Sequence, residues 1–350
     1  MTHTRFESLG AYLPARIQST PELMATMDRP PPFNLEDITG IKNRRVHDQR
    51  PESYEDSLVL AHNAARDCLA RSRYQAADLD VIISVSISRF SGQGARFDFE
   101  PSQALRLRQL LGAERAIHFD LSNACAGMMT GVYILDRMIK AGAVRCGMVV
   151  SGEQITPIAA TAAREVEEVY DPQMGSLTVG DSAAAVIIDR AESEADQIHY
   201  IELVTCAEYS RLCLASPSDK TPHYALYTNN AEMHKAERVQ MWPRFQLDLL
   251  ARLGSTFADE KFDYLIHHQV GVKAIRNFTR VGGALFQAPM PPNLSVVEEL
   301  GNTATTSHFI VLHEHLRTGQ FRRGAKVLMV PAASGLVTGC VSATITSLEV

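Results

Sequence analysis

Three segments recur in the same order in the two halves of this chain, and that repeat restricts the fold more than any other feature of the sequence. In the first half SNACAG opens a helical pattern, AGAVRCGMVVSGE follows, and GDSAAAVIID closes the set. In the second half LGNTATTS, TGQFRRGAKVLMVPAASG and TGCVSATIT repeat it. Gly142 and Gly147 follow Cys125 at the same spacings at which Gly319 and Gly324 follow Asn302. A further pair, ADLDVIISVSI and KFDYLIHHQV, shares an acidic turn entering a buried strand. Repetition of this kind signals a duplicated supersecondary unit. The chain is therefore expected to divide into residues 1–190 and 191–350. Cys125 and Asn302 are expected at equivalent positions, at the starts of equivalent helices that pseudo-symmetry brings together at the middle of the molecule.

The periodicity supports an α/β chain. Leu79–Ile87 and Val144–Val150 are short β-branched runs of the buried, parallel type. Gly180–Asp189, Ile198–Cys206, Tyr264–Gln269, Lys326–Val330 and Gly339–Leu348 read as further strands. Helical spacing covers Tyr54–Leu69, Ser102–Leu111 with Pro101 opening it, Met128–Ile139, Thr156–Tyr170, Met233–Leu253, Val272–Val281 and Thr303–Leu316. A short helix at Thr20–Met27 is expected to close at the prolines 30, 31 and 32. Ser210–Glu232 is polar and irregular, and reads as a surface or lid segment.

Composition narrows the class. Hydrophobic residues make up 45% of the chain, charged residues 21%, and the net charge of -6 gives no case for nucleic acid. Six scattered cysteines show neither zinc spacing nor a disulfide framework, so reduced thiols, no metal and no bound cofactor are expected. The N-terminus has no basic-then-apolar signal and no apolar run reaches membrane-spanning length, which makes a cytoplasmic location the expectation.

Cys125 lies where a strand gives way to a helix, and the free N–H groups of a helix start favour a thiolate. The plainer reading is that cysteine is usually inert packing. Its symmetry partner Asn302 shifts the balance, because two helix starts facing one pocket suit an oxyanion or a thiolate. His268 ends the strand YLIHHQ at the same sheet edge, and His267 must point to the opposite face. Gly335, in the turn ASGLVTG, lets a backbone N–H approach a ligand.

Taken together, TGIKNRR, FDLSNACAG, GDSAAAVII, HHQ, LGNT and SGLVTG resemble the thiolase superfamily, specifically ketoacyl-acyl-carrier-protein synthase III and its relatives, over essentially the whole chain. The resemblance implies a five-layered αβαβα fold of two pseudo-symmetric halves and an obligate homodimer. It also implies a Cys-His-Asn site at Cys125, His268 and Asn302, with the amides of Cys125 and Gly335 as the oxyanion hole. By this analogy Cys125 takes an acyl group from a thioester. His268 and Asn302 then stabilise the enolate of a second thioester as its α-carbon attacks.

Two departures from the housekeeping pattern stand out. Asn34 and Ile38, within FNLEDITGI, replace the tryptophan and arginine that sandwich the adenine of coenzyme A. Glu100, in FDFEPSQA, replaces an apolar residue that closes the partner's acyl pocket. The bland reading of Glu100 is a glutamate favoured at a helix start. The sharper one resembles olefin-pathway thiolases and pyrone- or resorcinol-forming ketosynthases, where such a glutamate is a cross-dimer base removing an α-proton. Lys273, with Arg276 and Arg280, matches a basic pocket mouth and makes a docking face for acyl carrier protein or a pantetheine phosphate, or else a merely solvated helix face. The expected function is an acyltransferase forming a carbon–carbon bond by Claisen condensation in specialised lipid or polyketide biosynthesis, with acyl, malonyl or β-ketoacyl thioester as second substrate. The alternatives are acyl transfer to an alcohol or amine, and a non-catalytic subunit of a heterodimeric synthase.

Overall fold

Residues 3–29, 33–94, 96–98 and 100–350 are described by the computed structural model. The prolines 30–32 lie outside them. The first half builds β1 (Thr4–Tyr12), helix α1 (Ser57–Arg71), β2 (Val81–Ser84), α2 (Gln103–Leu111), β3 (Ile117–Asp120), α3 (Gly127–Lys140), β4 (Gly147–Glu153), α4 (Thr156–Glu165) and β5 (Ser182–Arg190). The second builds β6 (Gln197–Thr205), the pair β7 (Cys213–Pro217) and β8 (Tyr224–Thr228), helix α5 (Met241–Arg252), β9 (Tyr264–His267), α6 (Val272–Phe286), α7 (Ser307–Arg317), β10 (Ala325–Val330), β11 (Ala332–Ala333) and β12 (Val337–Ile345).

The duplication is visible strand by strand. In one half the order is β3-β2-β4-β5-β1, and in the other β9-β10-β12-β6. β2 runs parallel to β4, and β4 antiparallel to β5. Likewise β9 is parallel to β10, and β10 antiparallel to β12. The two sheets touch edge to edge through Thr4 and Ile198 of β1 and β6. An isolated parallel pair, Leu265 with Asn293, stands where β3 stands in the first half.

Alternation along the strands explains the layers. Val81 and Ile83 of β2 face a central core, whereas Ile82 faces an outer one. The central core holds Met128, Val132, Leu135 and Ile139 of α3 with Phe309, Ile310 and Leu312 of α7, packed between strands of both sheets. α1 and α2 cover the outer face of the first sheet, through Leu60, Ala64 and Leu107. α5 and α6 cover the outer face of the second, through Trp242, Leu250 and Phe286. The result is the expected αβαβα arrangement.

Three expectations need correction. Pro101 does not open α2: the helix starts two residues later and Ser102 is its N-cap, accepting from Leu105 N. Ser210–Glu232 is not irregular but carries the five-residue ladder of β7 and β8. Finally, each central helix is preceded by a single 3₁₀ turn, Ala124–Ala126 and Ala304–Thr306, and each turn begins with an alanine at positive φ, 45° and 52°. Aligned on those turns, Cys125 is equivalent to Thr305, three residues beyond Asn302. The helix ends match in the spacing seen in the sequence because α7 has 11 residues and α3 has 14. The shorter helix compensates for a start set three residues later.

Candidate active site

Cys125 is the middle residue of the 3₁₀ turn that leads into α3. Its neighbour Gly127 lies where the two halves meet. A Cβ there would stand 2.9 Å from the Val85 carbonyl oxygen and 3.1 Å from Thr305 Cγ2, so a side chain would push the helix starts apart. Cys125 is partly buried and packs against the apolar group of Ile155, Ile158, Val179 and Ala304, on which Leu226 also packs. It also packs against the group of Ala126, Ala333 and Val337.

Asn302 is tied down from both directions. Its backbone N–H donates to Thr178 O (2.8 Å), and its carbonyl accepts from Gly180 N (3.0 Å). Its side-chain Oδ1 accepts from Ala304 N at 3.0 Å. The acceptor end of the amide is thereby committed, and the NH₂ is the end left to meet a ligand. Fully buried Arg44, from the TGIKNRR motif, steadies the facing loop by donating to the carbonyls of Leu177 and Val179 and to the Thr20 hydroxyl (2.9 Å).

His267 and His268 separate as strand geometry requires. The His267 ring packs edge-on against Trp242 at 4.8 Å, in the outer layer of the second sheet. His268 immediately follows β9, and its ring lies 6.0 Å from that of His308 on α7. His268 N and His308 Nε2 both donate to Val330 O, at 3.1 and 2.9 Å, which fixes the His308 tautomer. His268 thus reaches the central layer where Asn302 and Cys125 lie.

Gly335 sits in the turn between β11 and β12 with φ +99°, and no heavy atom lies within 4 Å of the point a Cβ would occupy. Backbone conformation rather than space therefore calls for glycine. Adjacent Ser334 donates to Cys213 Sγ at 3.1 Å, which docks the β7–β8 hairpin on this turn. The far end of the hairpin is pinned to Glu165 of α4. That carboxylate accepts from Thr221 (2.6 Å), Ser218 (2.7 Å) and Gln173 Nε2 (2.5 Å). Leu226 of the hairpin belongs to the apolar group at Cys125. The segment expected as a lid is a fastened wall.

The resting site carries little charge. Burial pushes the Cys125 thiol above its ordinary value. The helix start was expected to have the opposite effect. A helix terminus is worth at most about 2 kcal/mol, or roughly 1.5 pKa units. Full desolvation moves a group by up to about 3–5 units, so burial wins. Burial, with the proximity of His308, lowers His268 to about 3, leaving a neutral imidazole at pH 7. A neutral thiol, a neutral imidazole and an amide suit charge development within a reaction better than they suit a preformed ion pair.

The residues expected around the site fall in two groups. Lys273, Arg276 and Arg280 are exposed along one side of α6, the helix that begins four residues after His268. Glu100 is exposed on the single chain and lies outside the cluster at Cys125. Its segment is anchored to the end of β3, because Asp120 accepts from Gln103 N (3.0 Å) and Ala104 N (2.8 Å). Asn34 caps the helix Leu35–Thr39, accepting from Glu36 N and Asp37 N. Ile38 packs into the apolar group of Leu35 and Ala162. Neither offers a surface for an adenine. Among the described residues no group of three or more His, Cys, Asp or Glu could hold a metal, and no helix is long and apolar enough to cross a membrane. Two residues at the seam were missed from the sequence, Glu153 and Thr305. Both lie in polar strings, SGEQ and TATTS, whose meaning depends on contacts between the halves.

Comparison with known proteins agrees with this architecture. Residues 119–206 match the family model of 3-Oxoacyl-[acyl-carrier-protein (ACP)] synthase III, and residues 254–345 match the model of its C-terminal part. Beta-ketoacyl-acyl-carrier-protein synthase III of Acidiphilium cryptum is 27% identical over 343 residues, covering 97% of this chain and 98% of that one. A glutamate-to-glutamine variant of Xanthomonas campestris OleA superposes with a TM-score of 0.81 at 21% identity, covering 98% of each chain. A cysteine-to-serine variant of OleA, solved with lauric acid and lauroyl-CoA bound, gives a TM-score of 0.81 at 21% identity over 98% of this chain and 99% of that one. The chain is a condensing enzyme of the thiolase superfamily, similar to 3-oxoacyl-acyl-carrier-protein synthase III, and an acyltransferase that forms a carbon–carbon bond by Claisen condensation.

Proposed function

We propose that Cys125 carries the acyl chain, that His268 and Asn302 bind the carbonyl of a second acyl thioester, and that Glu100 of a partner subunit removes that thioester's α-proton. The observation that carries the reading is the orientation of Asn302. With Oδ1 occupied by Ala304 N, the side chain presents donors and no base. His268, held neutral by burial, is likewise a donor and a poor base near neutrality. Two donors stabilise an enolate but do not create one, so the proton must go elsewhere or carbon dioxide must leave. The same donor character argues against transfer to an alcohol or amine, which needs a base beside the nucleophile.

In the first step Cys125 sulfur bonds to the thioester carbonyl carbon, and the amides of Cys125 and Gly335 hold the oxyanion. The old carbon–sulfur bond then breaks, and the cysteine proton leaves with the departing thiol. The acyl chain lies among Ile87, Ile155, Ile158, Val179 and Leu226, which belong with Cys125 to one apolar group. In the second step the enolate carbon bonds to the acyl-cysteine carbonyl, and Cys125 is released as a thiolate that takes up a proton.

In this reading the enzyme is a homodimer, and β3 supports this. It is the edge strand of its sheet, with Ile117 55% exposed, and an open edge of this kind is a pairing template. Pairing there sets the Glu100 segment, anchored to the end of β3, against the neighbouring subunit. Lys273, Arg276 and Arg280 form the docking face for the acidic carrier protein or the phosphate of the pantetheine arm. A lipid chain as the acyl group is in keeping with the lauroyl-CoA bound by OleA. The test is Glu100→Gln with two acyl thioesters. Acylation of Cys125 should persist while condensed product falls at least about 100-fold, the lower end of the range for losing a general base. Unchanged condensation by this variant would remove Glu100 from the mechanism.

A further inference from the structure

Glu153, the last residue of β4, is fully buried where the two halves meet. Its carboxyl contacts three separate pieces of the chain. Oε1 accepts from Ile87 N at 2.9 Å, and Oε2 accepts from Ser88 N at 3.1 Å and the Ser88 hydroxyl at 2.8 Å. Oε1 also lies 2.9 Å from both Ser151 Oγ and Thr305 Oγ1. Ser151 Oγ and Thr305 Oγ1 are in turn 2.7 Å apart. Thr305 holds the position in the second half that Cys125 holds in the first, and Ile87 packs against the same apolar group as Cys125.

The three short contacts form a closed triangle, and a proton count on it is decisive. Each edge is a hydrogen-bond distance and needs a hydrogen. The two hydroxyls bring one each. With an ionised carboxylate, one edge is two oxygen lone pairs facing each other at under 3 Å beside a buried negative charge. A carboxyl proton supplies the missing hydrogen. Burial acts in the same direction, raising Glu153 against the opposing effect of its amide and hydroxyl donors. The titratable group facing it is Cys125; its other neighbours on β4, on the Ile87–Ser88 loop and at the start of α7 are hydroxyls and amides.

We propose that Glu153 is a positioning residue that works as a neutral acid, its proton closing a ring with Ser151 and Thr305 that fixes the two helix starts without setting an anion beside Cys125. The inference rests on the reading of Cys125 as nucleophile, since an adjacent carboxylate would oppose thiolate formation and a carboxylic acid does not. It makes the seam between the halves a site where charge is excluded by the hydrogen-bond network rather than by apolar packing.

Two measurements on the full-length protein test it. Infrared spectroscopy at pH 8 should show a carboxylic-acid C=O band in the wild type that is lost in Glu153→Gln. In Glu153→Asp, which retains an acid should the first variant not fold, that band should shift. Absence of any such band from the folded wild type overturns the proposal, whatever Cys125 does. The rate of Cys125 alkylation by iodoacetamide as a function of pH, read by peptide mass spectrometry, is the second. Wild type and Glu153→Gln should agree within about twofold at neutral pH, because neither carries charge at residue 153. A tenfold or greater acceleration in Glu153→Gln means an anion was removed, and overturns the proposal. Failure of the nucleophile reading has a different signature, no label on Cys125 in either protein at any pH, and withdraws the functional part of the inference with it.

Discussion

Asn302→Asp changes one atom group and separates two functions of the side chain. The aspartate keeps an oxygen for Ala304 N, so the turn that Asn302 caps is retained. It loses the NH₂ donors and brings a negative charge toward the enolate. Loss of one such donor costs about 10²- to 10³-fold in rate in comparable oxyanion sites. Acyl capture by Cys125 should therefore be retained while condensation drops by about that factor, as followed by intact mass and product formation in parallel. An equal loss of both steps would mean that Asn302 acts through the fold of its turn. At this scale the sequence singles out residue types at junctions but not their register. Cys125, His268 and Asn302 stood out as residue types at junctions. The equivalence of Cys125 with Thr305 was hidden, because a shortened α7 restored the spacing of the later glycines.

Among the elements, the β7–β8 hairpin is the piece that the sequence disguised. Its strands contain Ser216, Pro217 and Thr228, its loop is polar, and no apolar alternation marks it. What holds it is tertiary. Ser218, Thr221 and Gln173 donate to the buried Glu165 carboxylate, and Ser334 donates to Cys213. Burial opposes ionisation of Glu165, but these donors outweigh it and hold the carboxyl below its ordinary value. Glu165→Ala leaves three polar groups without their acceptor, at about 1–3 kcal/mol for an unsatisfied buried group. The expected result is cleavage by a nonspecific protease within residues 218–223, with helix content unchanged by circular dichroism. Resistance equal to wild type would show that the hairpin is held without the Glu165 carboxylate. The strands of the two sheets, by contrast, were legible because β-branched residues and strict burial on both faces leave a continuous apolar run.

For the whole molecule, three buried imidazoles set the acid limit of stability. Burial, with the proximity of His308, lowers His267 and His268 to about 3; burial lowers His308 itself to about 4, against its bond to the Val330 carbonyl. Unfolded histidines titrate near 6.5, so below that pH the unfolded chain binds protons that the native one does not. The stabilisation is complete above about pH 6.5 and declines as pH falls toward 4, by about 1.4 kcal/mol per pH unit for each histidine. For a native state worth about 5–15 kcal/mol, that slope brings acid unfolding within a few pH units. Urea midpoints should fall steeply between pH 6.5 and 4.5, and a flat profile would mean that the cluster takes up protons while folded. The two-half architecture was legible from the repeat itself, because duplicated units must pack by the same contacts. The seam between them was not, since Glu153, Ser151, Thr305 and Gly127 meet only after both halves have folded. The most direct test of the central claim is the intact mass of the protein after incubation with a panel of acyl thioesters. The account predicts a single acyl adduct at Cys125, absent in Cys125→Ala and discharged as a condensed product when a second thioester is added. An unmodified Cys125, or an adduct that survives the second thioester, would contradict it.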